Sequence, residues 1–269
     1  MPSLAPRQTG RERPLSITPD KLGNVPIAPS ASPATADDDL RRLADALRDP
    51  APLNWVITGD SITHGLVHTQ GGRSYQEHLH ELIRGELERV RDIVLNTAIS
   101  GNRIVDILDD WERRVAGWQP DVVTLMVGTN DASDGGPRPV ISPDDYAASL
   151  HDFVSRVREI GAIPVLQTPP AIDVRNAPER ARIADFAEAV RRVASAEDVI
   201  LVDQYAHFAE LGGGGMPWGL MNDPFHPSAA GHAALALELA RVLGIAPEGP
   251  RARTAALLEG MVGTARVFG

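Results

Sequence analysis

Five short runs of nearly unbroken apolar residues punctuate the chain, at residues 55–58, 93–96, 121–127, 163–167 and 199–203. Little in them alternates with polar positions, so they predict strands buried on both faces, as in a parallel sheet. Between them the apolar positions recur at helical spacing. Helices are expected over about residues 75–91, 104–115, 143–160 and 178–196, and a last one over about 228–243. This alternation predicts an α/β domain with a doubly wound sheet and helices on both faces. Ligands in such sheets bind beyond the carboxyl ends of the strands, and each polar motif is weighed by whether it falls there.

The ends of the chain break this rhythm. Residues 1–37 hold seven prolines among many Ser, Ala and Thr and are expected to form an irregular arm. The domain proper is expected over 38–245, opening on an Asp-rich start that suits a helix dipole and an amphipathic run from Leu40 to Leu47. Residues 246–269 read as a C-terminal tail with one apolar stretch, 255–261, expected as a docked or fraying helix. The run Gly212-Gly213-Gly214-Gly215 reads as a flexible loop.

Composition narrows the chemistry. At 269 residues and 43% hydrophobic the chain can bury one large core. A net charge of −10 argues against nucleic acid and anionic membranes as partners. There is no cysteine, which excludes disulfides, thiolate nucleophiles and Cys-ligated zinc. Lys21 is the only lysine, so no P-loop lysine exists and Schiff-base chemistry has no candidate in the domain. Residues 1–20 lack an apolar signal core and no apolar run is long enough to span a membrane, so the expected compartment is the cytoplasm.

Four motifs fall at strand ends or before the last helix. Gly59-Asp60-Ser61-Ile62-Thr63 follows the first run, with the glycine expected to permit a sharp turn and Ser61 at the mouth of the crevice. Alone, it also fits an ordinary helix cap. Asn96-Thr97-Ala98-Ile99-Ser100-Gly101-Asn102 follows the second run, where Gly101 can offer an unobstructed backbone N–H or simply make a turn. Gly128-Thr129-Asn130-Asp131 ends the third run, and the Asn130 amide there can point at a developing oxyanion or close an Asx turn. Asp223-Pro224-Phe225-His226-Pro227 precedes the last helix. Its two prolines can hold the carboxylate where it accepts the imidazole Nδ1–H, leaving Nε2 outward, as in the base and orienter of a catalytic triad, or they simply shape a helix entry with an exposed histidine.

Taken together, these blocks resemble the SGNH (GDSL-like) hydrolase family over residues 55–243. Ser61, Gly101, Asn130 and His226 match the four blocks in order, and Asp223 matches the Asp-x-x-His element. Two positions depart from the pattern: Ile62 replaces a leucine, and Ala98 stands where a middle glycine is common. The resemblance implies a three-layer α/β/α sandwich with a five-stranded parallel sheet in the flavodoxin-like order 2-1-3-4-5. It implies Ser61 as nucleophile, His226 as base and Asp223 as its orienter. The Ser61 and Gly101 N–H groups and the Asn130 amide would form the oxyanion hole, with no metal or organic cofactor. The Gly-x-Ser-x-Gly elbow of α/β-hydrolases is missing, because Thr63 occupies its second glycine position.

The expected reaction is hydrolysis of a carboxylic ester through an acyl-enzyme, with a small-molecule substrate carrying a short acyl group such as acetyl on a sugar or metabolite. Its rivals are an acyltransferase with the same triad, a lysophospholipase or thioesterase, and a silent binding module. Trp218, Met221 and Phe225, just upstream of His226, either line an acyl or leaving-group pocket or anchor the loop. His64 and His68 sit four apart, but no acidic ligand follows at useful spacing, so no metal site is expected there. His78 and His80 diverge on a helix, and His232 reads as a packing or capping residue. Asp60 and Asp131 are expected to tie loops to backbone donors, and Asp109, Asp110 and Glu112 to form a solvated helix face.

Overall fold

The computed structural model describes residues 34–245 and 253–268. Five strands, β1 (Asn54–Gly59), β2 (Ile93–Asn96), β3 (Val122–Met126), β4 (Ile163–Gln167) and β5 (Ile200–Val202), form one parallel sheet in the order β2-β1-β3-β4-β5. The fold expected from the sequence is therefore the one observed. Successive strand residues feed opposite layers: Trp55 and Ile57 enter one core while Val56, between them, enters the other.

The first core is covered by α1 (Ala36–Arg48), α3 (Tyr75–Glu81), α9 (Ala229–Val242) and α10 (Arg253–Phe268), which contribute Leu43, Leu79, Leu235 and Leu258. The second is covered by α4 (Ile104–Asp109), α6 (Pro143–Glu159) and α7 (Ile183–Glu197), through Ile107, Phe153 and Val190. Two single-turn helices, α2 (Ser61–His64) and α5 (Trp111–Arg114), and α8 (Gln204–Leu211) complete the described elements of helical type used below.

The expected arm lies outside the described residues up to residue 33; Thr35 then caps α1, closing a capping box with Asp38. Residues 246–252 are likewise outside them, while the apolar stretch 255–261 belongs to α10, with Leu258 fully buried.

Three helices differ from expectation for local reasons. The helix expected to reach residue 91 gives way to a π turn at Leu82–Glu86. There Arg89 leaves the helix path because its guanidinium bonds Asp92 and the carbonyls of Leu47, Asp49 and Ala51. The helix expected over 104–115 breaks at Asp110, separating α4 from α5. The break turns buried Arg114 toward Asn102 and the end of β1. The helix expected from 178 begins at Ile183, after a separate turn at Pro178–Arg180. Helix α8 was not expected at all, although its cap, Asp203 accepting from the Ala206 N–H at 3.1 Å, is a readable signal.

Candidate active site

Strand β1 delivers its last residue, Gly59, to the carboxyl edge of the sheet. A Cβ there would stand 2.3 Å from the Met126 carbonyl oxygen and 2.4 Å from Thr63 Oγ1. This close approach is what requires the glycine. Asp60 then caps α2, its carboxylate accepting the Ile62 N–H at 2.9 Å. Ser61 is thereby the first residue of α2, where backbone N–H groups have no intrahelical acceptor. Gly65, at φ +74°, ends the helix after one turn.

The loop before α9 reaches the same place. A bridge between Met221 and Pro227 closes its base, and the Asp223 Oδ1 accepts the N–H groups of Phe225 and His226 at 3.0 and 2.8 Å. Its other oxygen lies 2.8 Å from His226 Nδ1, and His226 Nε2 lies 2.9 Å from Ser61 Oγ. Because the carboxylate only accepts, Nδ1 carries the proton and Nε2 is left to accept from the serine hydroxyl. Burial pulls the His226 pKa below its ordinary value against the opposing pull of Asp223. Burial alone would raise Asp223, but the two N–H bonds and the imidazole outweigh it, and its pKa is lowered.

The remaining two blocks converge through a web of ties. Asn130 Nδ2 donates to the Asn102 carbonyl at 3.1 Å, joining the loop after β3 to the loop after β2. Gly101 sits at φ +82° with open space where a Cβ would be, so its backbone conformation alone asks for glycine. Ala98, at the departure from the family pattern, is buried, its N–H held by Asn96 Oδ1 at 3.0 Å. His64 Nδ1 accepts the Ser100 N–H at 3.2 Å, so this histidine positions the loop. Arg114 donates to Asn102 Oδ1 at 2.5 Å, and Arg138 to the Gly101 carbonyl at 3.2 Å.

Behind this edge lie two buried carboxylates. Asp60 is pushed up to about 7 and Asp131 to about 6, in both cases first by burial. As expected, both tie backbone donors, Asp131 accepting the Ile104 N–H at the start of α4 at 2.9 Å. His232 accepts the Tyr75 N–H at 3.1 Å and so caps α3.

The structure thus brings Ser61, Asp223, His226, Asn130 and the Gly101 loop to one edge. Of the three side chains upstream of the histidine, Phe225 packs on the His226 ring at 4.4 Å, beneath the Arg180 guanidinium at 3.8 Å. Met221 packs against the core under α9, and Trp218, half exposed, lines a shallow hollow with Leu211, Met216 and Arg266. Sequence reasoning missed His68, which stacks on His226, and Arg180. No spacing signal marks either, because both arrive on irregular turns.

A five-stranded sheet in this order, with a hydrogen-bonded Ser–His–Asp chain at its carboxyl edge, is the frame of an α/β/α hydrolase. The profile of the GDSL-like lipase/acylhydrolase family matches residues 57–234, and the chain belongs to that family; it is a carboxylic ester hydrolase. It is 30% identical over 203 residues to the acetylxylan esterase of Geobacillus stearothermophilus, covering 70% of this chain and 93% of that one. The crystal structure of that esterase superposes with a TM-score of 0.62 at 26% identity, over 71% of this chain and 94% of that one. Its described catalytic mutants replace a serine, an aspartate and a histidine. An α/β hydrolase enzyme from the metagenome of Lake Arreo, Spain, superposes equally, at TM-score 0.62 and 28% identity over 73% of this chain and 97% of that one. Among the described residues no helix is long and apolar enough to cross a membrane.

Proposed function

We propose that this chain is a serine esterase that removes a short acyl group, foremost acetyl, from a sugar or small metabolite. The observation that carries the reading is the continuous chain from Ser61 Oγ through His226 to Asp223, at 2.9 and 2.8 Å. Ser61 attacks the acyl carbonyl while His226 Nε2 takes the hydroxyl proton. The developing oxyanion is met by the Ser61 and Gly101 N–H groups and the Asn130 amide. His226 then protonates the departing alcohol, and the acyl group stays on Ser61. In the second half, His226 deprotonates a water that attacks the acyl-enzyme, releasing the carboxylic acid and restoring Ser61. Asp223 orients the ring and steadies its charged form in both halves. The acetyl preference is supported by the likeness to an acetylxylan esterase.

The test combines an acyl-length series with covalent labelling. Hydrolysis of p-nitrophenyl acetate, butyrate and octanoate and of acetylated xylo-oligosaccharides is measured on the whole chain. Adduct formation by a fluorophosphonate is mapped by mass spectrometry. The expected results are highest kcat/KM for acetyl and a single adduct on Ser61. An octanoyl preference, or an adduct elsewhere with Ser61 unmodified, would count against the reading.

Asn130 supplies its donor from the end of the central strand, anchored by Asn102. Asn130→Ala is expected to lower kcat by ~10²–10³ with KM little changed, since the bond strengthens only as charge develops. Steady-state kinetics on the acetyl ester reads this directly; a change confined to KM would remove Asn130 from the oxyanion hole.

A further inference from the structure

The segment between α2 and α3 carries backbone conformations that ordinary residues avoid. Val67 and Gln70 have φ of +68° and +51°, between Gly65 at +74° and Gly71 at +86°. A β-branched residue in the left-handed region is strained, and Val67 has no packing to justify it, being 82% exposed. The segment is nevertheless held tightly to the loop that bears the base. Gln70 Nε2 donates to Asn222 Oδ1 at 2.7 Å, and Gly72 packs so closely on Ala229 that a Cβ would lie 2.7 Å from it. Thr69 Oγ1 donates to the Gly65 carbonyl at 3.3 Å and closes the turn from inside.

What this strained clamp presents is His68. Its ring lies parallel to that of His226, with centroids 3.4 Å apart and 9° between the planes, and its Nδ1 stands 3.3 Å from Asp223 Oδ2. His68, Asp223 and His226 also satisfy the spacing of a metal cage, with ligand atoms within 4.8 Å of one another. The ring geometry speaks for a stack instead. Imidazole lone pairs lie in the ring plane, and two parallel rings 3.4 Å apart cannot both aim them at one ion about 2 Å from each.

We propose that His68 is a positioning residue of this ester-hydrolysing site: its ring is the plate that holds His226 in the plane facing both Asp223 and Ser61. The plate also offers a π face to the imidazolium that forms when Ser61 gives up its proton. Other charged or titratable groups near the pair, among the described residues, include Arg180, over Phe225, and His232 and His78 on α9 and α3. Burial holds the last two neutral, their pKa lowered to about 3 and about 4.

The inference rests on the proposed roles of Ser61 and His226, so the experiment carries Ser61→Ala alongside His68→Ala, His68→Phe and His68→Asn. Each is measured for kcat and KM on p-nitrophenyl acetate over about pH 5–8, the range in which histidines titrate. Near-ultraviolet circular dichroism reports folding. His68→Ala is expected to lose ~10–100-fold in kcat with KM within about twofold, as for a misplaced catalytic group. His68→Phe, which keeps an aromatic plate, recovers most of the loss, whereas His68→Asn does not. In the wild type, a far-downfield proton resonance from the His226–Asp223 bond is expected and should broaden in His68→Ala. A folded His68→Ala with wild-type kcat, or recovery by His68→Asn as good as by His68→Phe, overturns the inference while an inactive Ser61→Ala leaves the hydrolytic reading standing. A folded Ser61→Ala with wild-type kcat overturns that reading itself.

Discussion

Ser61→Ala is expected to lower kcat for the acetyl ester by about four to six orders of magnitude, leaving KM and the fold nearly unchanged. The substitution removes one buried oxygen, hydrogen-bonded to His226 Nε2 at 2.9 Å. The lost bond is worth about 1 kcal/mol of stability, so the melting temperature should move by only a few degrees. Chemistry loses far more, because the acyl-enzyme can no longer form. The activity that survives comes from the oxyanion donors acting on water attack, without a covalent route. Steady-state kinetics with thermal denaturation reads both numbers. A folded Ser61→Ala protein within about tenfold of wild type would remove the serine from the reaction.

The second large effect is expected at the orienter. Asp223→Asn should lower kcat by about 10³–10⁴. The local geometry says why the amide is worse than a simple loss of charge. Backbone N–H groups of Phe225 and His226 both point at Oδ1, so the amide oxygen settles there and the NH₂ is turned to His226 Nδ1. Two donors then face each other unless the ring proton moves to Nε2, and a protonated Nε2 cannot accept from Ser61. The pH profile supplies a second readout. In the wild type, activity is expected to be full while His226 is neutral and to be lost as pH falls through its pKa. That pKa lies below the ordinary 6.5, first because the ring is buried. Asp223 opposes this lowering, so its removal moves the acid limb further to acid while the plateau drops. A limb that stays in place or moves toward neutral pH would refute the assignment.

How far the molecule can be read from its residues differs between its parts. The strands were legible because burial on both faces demands apolar residues at successive positions, and β2 and β4 begin and end where the runs 93–96 and 163–167 do. The helix ends were less so. Arg89 and Arg114 leave helical patterns because of tertiary hydrogen bonds, which no window of local sequence contains. At the site, Asp223 and His226 could be paired on paper because two prolines and a spacing of three leave few ways to hold them. The Ser61 turn could be located too, although the close packing of its glycine on Met126 and Thr63 could not. His68 was unreadable for the opposite reason. The four-residue spacing from His64 suggested one helix face, but Gly65 stops the helix and two strained residues carry His68 toward the other end of the chain. Phe225 was readable only as an apolar side chain near the base, since its contact with Arg180 depends on a turn after β4.

Ser61 and His226 are separated by 165 positions in the chain. At a synthesis rate of about 5–20 residues per second, the serine waits roughly 10–30 s on the ribosome before its base is even made. Throughout that interval it is an ordinary alcohol, unable to acylate itself on a passing ester. The pairing also closes the sheet edge from both ends, since the turn after β1 supplies one atom and the loop before α9 the other. Turnover is therefore expected to begin only once α9 has docked, so the recovery of esterase activity during refolding should time that docking.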